Sequence, residues 1–184
     1  MQPLLYGALL VGFRHVIRVP AELRANWGFQ LAWRNRDRAF VAGVKRAAVV
    51  ALVVPALIVL LPLYVFVLGS QQAPLHAGLG LAGAIVFLEV LMHNYDKVPF
   101  TCTYVPTENM KALGPIYAIA FFVGASVFAR MQYTAIQGGN FTRALLTLGV
   151  LFVIFRVMSL RRARLPYVEF DEAPATCQRL GLHT

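Results

Sequence analysis

Two side chains that could move a proton or hold an ion lie at the end of an apolar run. Glu89 and His93 are four residues apart, so they share one face of a helix. Buried acids in membrane helices often mark proton or ion paths, and histidine titrates near neutrality. The two side chains could also supply two metal ligands, but nothing else in the apolar runs completes a metal site. The sequence leaves open a proton site or an interfacial pair that partners an arginine.

Two other motifs invite a chemical interpretation. GLGLAG at 78–83 matches the letters of a dinucleotide-binding loop, but that loop needs a preceding strand and an acidic residue roughly twenty residues further on. Gly80 and Ala84 instead form a small-xxx-small pair, which favours close helix packing. Cys102 could act as a nucleophile only beside a base such as His93. The other cysteine, Cys177, is far from it and completes no metal-binding spacing.

The composition predicts which solvent surrounds these residues. The chain has 184 residues, of which 59% are hydrophobic and only 14% charged. A soluble domain usually carries about a quarter charged residues. Its net charge of +9 could suggest nucleic acid, but the charges flank apolar runs rather than forming one basic face. The sequence therefore predicts an all-α integral membrane protein that binds no nucleic acid.

Four apolar runs are long enough to cross a bilayer. A membrane helix needs about 20 mostly apolar residues. Pro55 and Pro62 interrupt the first run, and in lipid they should kink that helix rather than end it. The predicted spans are 47–68, 76–92, 113–136 and 142–160.

The basic residues predict the orientation of these spans. Fifteen of the seventeen lysines and arginines flank the same side, and only Arg130 and Arg143 lie on the other. Because positive charge accumulates in cytoplasmic segments, both termini are predicted to be cytoplasmic. The predicted location is the cell inner membrane, with anionic lipid in the facing leaflet.

Residues 1–46 are predicted to be an N-terminal interfacial segment. The apolar stretch 3–13 is too short to span a bilayer. Residues 23–38 fit an amphipathic helix on the cytoplasmic membrane surface or against a partner, since tryptophan and arginine favour the headgroup region. The predicted anchors are Trp27, Trp33, Arg34, Arg36 and Arg38. Residues 161–184 are predicted to be a short irregular tail that docks or stays loose.

A depth argument gives Glu89 a predicted partner. Glu89 and Arg156 each lie five residues before their helix leaves the membrane on the same side. An unpaired charge in lipid costs a few kcal/mol, part of which pairing recovers. The sequence therefore predicts that the second and fourth spans are neighbours and that Glu89 faces Arg156.

Three stretches carry a resemblance. VPAELRANWGFQLAW, KVPFTCTYVP and ATCQRLGL resemble the C-terminal part of uncharacterised multi-pass membrane proteins of bacteria. The resemblance implies the same membrane fold, and it implies that related proteins have further spans before the matching region. It transfers no activity, ligand or catalytic residue.

Three functions remain as hypotheses. The first is a non-catalytic membrane subunit, a scaffold or accessory protein of a larger assembly. The second is the membrane domain of a transporter or permease that uses Glu89 and His93, and the third is an enzyme using His93, Cys102 or Glu108. No cofactor is predicted, although bound lipid and other membrane subunits are expected.

Overall fold

The computed structural model describes residues 2–17, 37–93, 108–137 and 141–162. All regular secondary structure in these residues is helical. The helices are α1 (Gln2–Val16), α2 (Asp37–Ala48), a π-helical segment (Val49–Val53), α3 (Val54–Leu68), α4 (Ala73–Leu91), α5 (Glu108–Gln137) and α6 (Phe141–Arg162).

Four helical stretches are long and apolar enough to cross a membrane. This confirms the prediction of an all-helical, multi-pass membrane protein. The stretches are Ala39–Leu68, Ala73–Leu91, Ala118–Ile136 and Thr142–Arg161.

The first span is one continuous rod of α2, the π-helical segment and α3. Pro55 lacks a backbone N–H, and its ring would clash with the carbonyl four residues earlier, inside the π-helical segment. The chain responds by widening one turn, and the N–H of Val54 donates to the carbonyl of Val49, five residues back. The helix also continues through Pro62. The two prolines therefore do not end this span, as the sequence predicts.

A tight connection joins α3 to α4. Gly69 ends α3 with a φ of 82°, a conformation that favours glycine, and its N–H donates to the carbonyl of Val65 at 3.0 Å. Pro74 then lies in the first turn of α4, where its missing N–H costs nothing. This is why α4 begins at Ala73 rather than at the predicted residue 76. The short connection makes α3 and α4 antiparallel neighbours.

α4 is the central helix of the bundle. About a third of its most apolar 18 residues are buried, compared with 11% for the first and fourth spans. It contacts α1, α3, α5 and α6. Its glycines explain this position, because a Cβ on Gly83 would lie 2.5 Å from the Phe128 ring of α5, and one on Gly80 would overlap Gln2 of α1. GLGLAG is thus helical and serves helix packing, as predicted.

α1 packs inside the bundle, which differs from the interfacial position predicted for this part of residues 1–46; residues 18–36, which hold most of the predicted surface helix, lie outside the described residues. Tyr6 and Leu10 are buried, and the ring of Phe121 leaves no space for a side chain at Gly7. Ile17 belongs to the same apolar cluster as Met92 at the end of α4. An uncharged stretch of 10 to 14 residues is too short to span a bilayer, but it is typical of a buried or re-entrant helix.

Candidate functional site

A buried ion pair joins the first two spans. Lys45 lies in the last turn of α2, just before the π-helical segment, and Glu89 lies near the end of α4. The Lys45 Nζ donates to Glu89 Oε2 at 2.5 Å. The side chains are only 19% and 8% exposed. The pair therefore neutralises both charges inside the helix bundle.

Apolar side chains surround this pair. Leu88 and Met92 flank Glu89 along α4, and Ala48 lies one turn after Lys45. All three are buried in one apolar cluster. Each charge therefore depends on the other for its compensation, since removing one partner of a buried pair typically costs about 3 to 5 kcal/mol. The arrangement can clasp two helices or exchange a proton within the pair.

The structure gives Glu89 a different partner from the predicted Arg156, whose side chain is exposed on α6. The prediction placed the start of the first span at residue 47, which left Lys45 outside the membrane. The helix instead extends back to Asp37 without a break, and α3 is joined to α4 by a short connection. The feature of the sequence that pointed to Lys45 was therefore its position on the helix that the short connection joins to α4. The predicted contact between the second and fourth spans, α4 and α6, is present.

The other predicted site residues are only partly described. His93 follows α4 and is half-buried, and its N–H donates to the carbonyl of Val90 at 3.2 Å. Arg38 lies in the first turn of α2 and Glu108 begins α5. The remaining predicted residues lie outside the described part of the chain: Trp27, Trp33, Arg34, Arg36, Cys102 and Cys177. In the part that is described, no group of three histidine, cysteine or acidic side chains could hold a metal ion.

Basic residues gather at the end of the bundle where α1 and α4 end, which we name the basic end. It carries Arg14 and His15 in the last turn of α1, Lys45 and Arg46 in the last turn of α2, and Arg161 near the end of α6. The opposite end carries the Gly69 connection and two described arginines, Arg130 and Arg143. The described residues thus keep the strong charge asymmetry that the sequence predicts.

A second feature, an apolar crevice, lies between α1, α4, α5 and α6. Its volume is about 490 Å³. Its walls are mainly glycine, alanine, valine and phenylalanine, and the hydroxyl of Thr147 on its α6 wall donates to the carbonyl of Arg143 at 2.9 Å. Sequence reasoning missed the crevice, because α1 was not expected in the bundle.

Together, the four spans and the internal ion pair define a multi-pass helical membrane protein with a self-compensated charge at its basic end. Comparison with models of known protein families found no match, and comparisons with curated proteins and with solved structures found none either.

Proposed function

We propose that this chain is a non-catalytic integral membrane subunit, a scaffold or accessory protein of a larger assembly in the bacterial inner membrane. The basic end would face the cytoplasm, in accordance with the positive-inside rule. The Lys45–Glu89 pair would then be a structural clasp between the first two spans.

The exposed face of α6 is the observation that supports this proposal. Only 11% of its most apolar 18 residues are buried, as in the first span, and α6 also carries a surface groove in which Gly149 lies. No neighbouring atom lies within 4 Å of a Cβ built on Gly149. Thr142, Leu146 and Val153 continue the groove at helical spacing on both sides. Thr142 and Gly149, two turns apart in this stripe, are the small and hydroxylated residues that allow a second membrane helix to approach closely.

Site-specific photo-crosslinking in native membranes tests this function. A benzophenone side chain at Leu146, which is 65% exposed in the groove, should give a discrete cross-linked product with another membrane protein. The matched control is Val59 of α3, which is 76% exposed and lies outside the groove. Mass spectrometry of the product from position 146 identifies the partner. No product from either position, or equal products from both, would contradict a dedicated docking face.

The buried acid favours one alternative, the membrane domain of a proton-coupled transporter. Ionisable residues inside membrane helices commonly serve proton relays, and the Glu89 side chain is only 8% exposed. In purified protein reconstituted in liposomes, a transporter would carry a proton flux that Glu89→Gln abolishes and Arg156→Gln leaves unchanged. Equal background flux in all three proteins would exclude this alternative.

A further inference from the structure

We propose that the apolar crevice between α1, α4, α5 and α6 binds one acyl chain of an anionic phospholipid. The phosphate of that lipid would lie at Arg161 in the basic end. This site shares Val150 and Ile154 with the α6 groove in the proposed function, but its other walls are on α1, α4 and α5, so either proposal can fail alone.

The depth of the crevice matches one leaflet of a bilayer. On α4 its wall extends from Gly80 to Val90, ten residues apart, or about 15 Å at 1.5 Å per residue. A hydrocarbon core is about 30 Å thick, so one leaflet supplies a chain about 15 Å long. Val90 lies near the end of α4, so the crevice reaches the basic end of the span. Its 490 Å³ falls within the usual range for ligand pockets, about 300 to 1,000 Å³.

The shape of the crevice follows from how α6 packs. The buried residues of α6 among those described, Ala144 and Thr147, both lie in its first two turns. Between residues 148 and 161 none is buried. α6 therefore packs closely at the end opposite the basic end and leaves space further along. This arrangement opens the crevice toward the leaflet at the basic end.

Contacts between the walls exclude a helix of another protein from the crevice. The ring centroids of Phe87 on α4 and Phe121 on α5 are 5.3 Å apart. Leu79, Ala135 and Ala144 join α4, α5 and α6 at the opposite end. A helix with its side chains is about 10 to 12 Å wide and does not fit between walls that meet in this way. A hydrocarbon chain does fit, and an apolar cavity favours it over water.

Charge selects the headgroup. On α6 the crevice face runs through Leu151 and Ile154, and the same helical spacing continues through Met158 to Arg161. Arg161 is exposed and is the last residue of the apolar span Thr142–Arg161, so it would lie at the depth of the lipid phosphates. A guanidinium binds a phosphate through two parallel hydrogen bonds. The net positive charge of the basic end adds a field that favours an anionic lipid.

The test uses the full-length protein in liposomes that contain phosphatidylglycerol with a photoreactive diazirine in its acyl chain. Peptide mapping of the wild-type protein should find labelling concentrated on the crevice walls, around residues 83–90 and 120–128. Even labelling of all lipid-facing surfaces, including α3, would show annular lipid only and overturn the proposal. A second polypeptide cross-linked in the crevice would overturn it as well.

Two glycine variants test the site by filling it. No neighbouring atom lies within 4 Å of a Cβ on Gly124, which lines the crevice, or on Gly78, which does not. Gly124→Leu should lower crevice labelling about tenfold, equivalent to 1.4 kcal/mol of binding, while Gly78→Leu leaves it unchanged. Equal labelling in both variants would overturn the proposal. If Gly124→Leu fails to fold, the labelling map of the wild-type protein still tests whether a lipid chain occupies the crevice.

Arg161→Gln tests the headgroup contact. The preference for photoreactive phosphatidylglycerol over the matched phosphatidylcholine should fall about fivefold, the loss expected for one basic residue near an anionic membrane surface. Arg130 lies near the end of α5 that points away from the basic end, so Arg130→Gln should leave the preference for phosphatidylglycerol unchanged. An unchanged preference in Arg161→Gln would remove the headgroup from the proposal.

Discussion

At the basic end, α2 and α4 are joined by a charged pair, whereas at the opposite end α4, α5 and α6 meet through Leu79, Ala135 and Ala144. The charged contact has one geometry and fails if either partner is lost. The apolar contact is made of many weak attractions, and each can be reduced without removing the others. The two ends should therefore respond differently to substitution.

The largest effect is expected at the ion pair. Lys45→Ala leaves the Glu89 carboxylate buried without its partner and should lower the free energy of unfolding by about 3 to 5 kcal/mol. Denaturant titration in mixed micelles measures the loss. The double variant Lys45→Met with Glu89→Leu should recover most of it, because it removes both charges together.

The effects of Glu89→Gln and Arg156→Gln on the free energy of unfolding should be additive, because these two residues are not partners. Strong coupling between the two substitutions would contradict the observed pairing of Glu89 with Lys45.

A smaller loss is expected at the opposite end. Leu79 is 1% exposed, and Leu79→Ala should lower the free energy of unfolding by about 2 kcal/mol, the low end of the range for buried leucines, because its cluster is small. The matched control is Leu63→Ala on α3, where the side chain is 53% exposed. A similar loss in both variants would show that the apolar contact contributes nothing of its own.

The position of α1 provides the third test. Gly7→Val places a side chain against the ring of Phe121 and should cost about 1 to 2 kcal/mol, as expected for overpacking. Gly12→Val is the control, because no neighbouring atom lies within 4 Å of its Cβ. Equal thermal stability of the two variants would place α1 outside the bundle.

The smallest effect is expected in the connection between α3 and α4. Gly69→Ala forces a side chain into a backbone with a φ of 82° and should cost about 1 kcal/mol. Gly78→Ala, in the exposed face of α4, should instead stabilise the protein slightly because alanine favours a helix. Thermal unfolding of the two variants should shift in opposite directions.

The sequence predicts the spans well because hydropathy acts locally. A bilayer leaves the chain little choice once about 20 apolar residues follow one another. Packing at Gly80 was also predictable, because Gly80 and Ala84 form a small-xxx-small pair, the spacing at which membrane helices approach closely. These features depend on neighbouring residues in the chain.

The missed features depend on distant residues. α1 carries too few apolar residues to span, and only the space beside Gly80 and Phe121 makes its burial favourable. The partner of Glu89 was mistaken for a similar reason, since depth alone does not distinguish Lys45 from Arg156. Which cation reaches the carboxylate depends on how the helices turn about their axes, and that is set by the packing of the whole bundle.

The π-helical segment has a consequence for how this protein tolerates insertions and deletions. The wide turn holds one residue more than an α-helical turn, so α2 and α3 keep the rotational phase of a regular helix that is one residue shorter. Deleting one residue from Val49–Val53 should therefore leave Lys45 facing α4, although the tighter turn would restore the clash at Pro55. Deleting one residue between Val54 and Leu68 would instead turn Lys45 by about 100° away from α4, because each residue turns an α-helix by that angle. The wide turn therefore makes Val49–Val53 the part of the first span where a change of one residue disturbs the ion pair least.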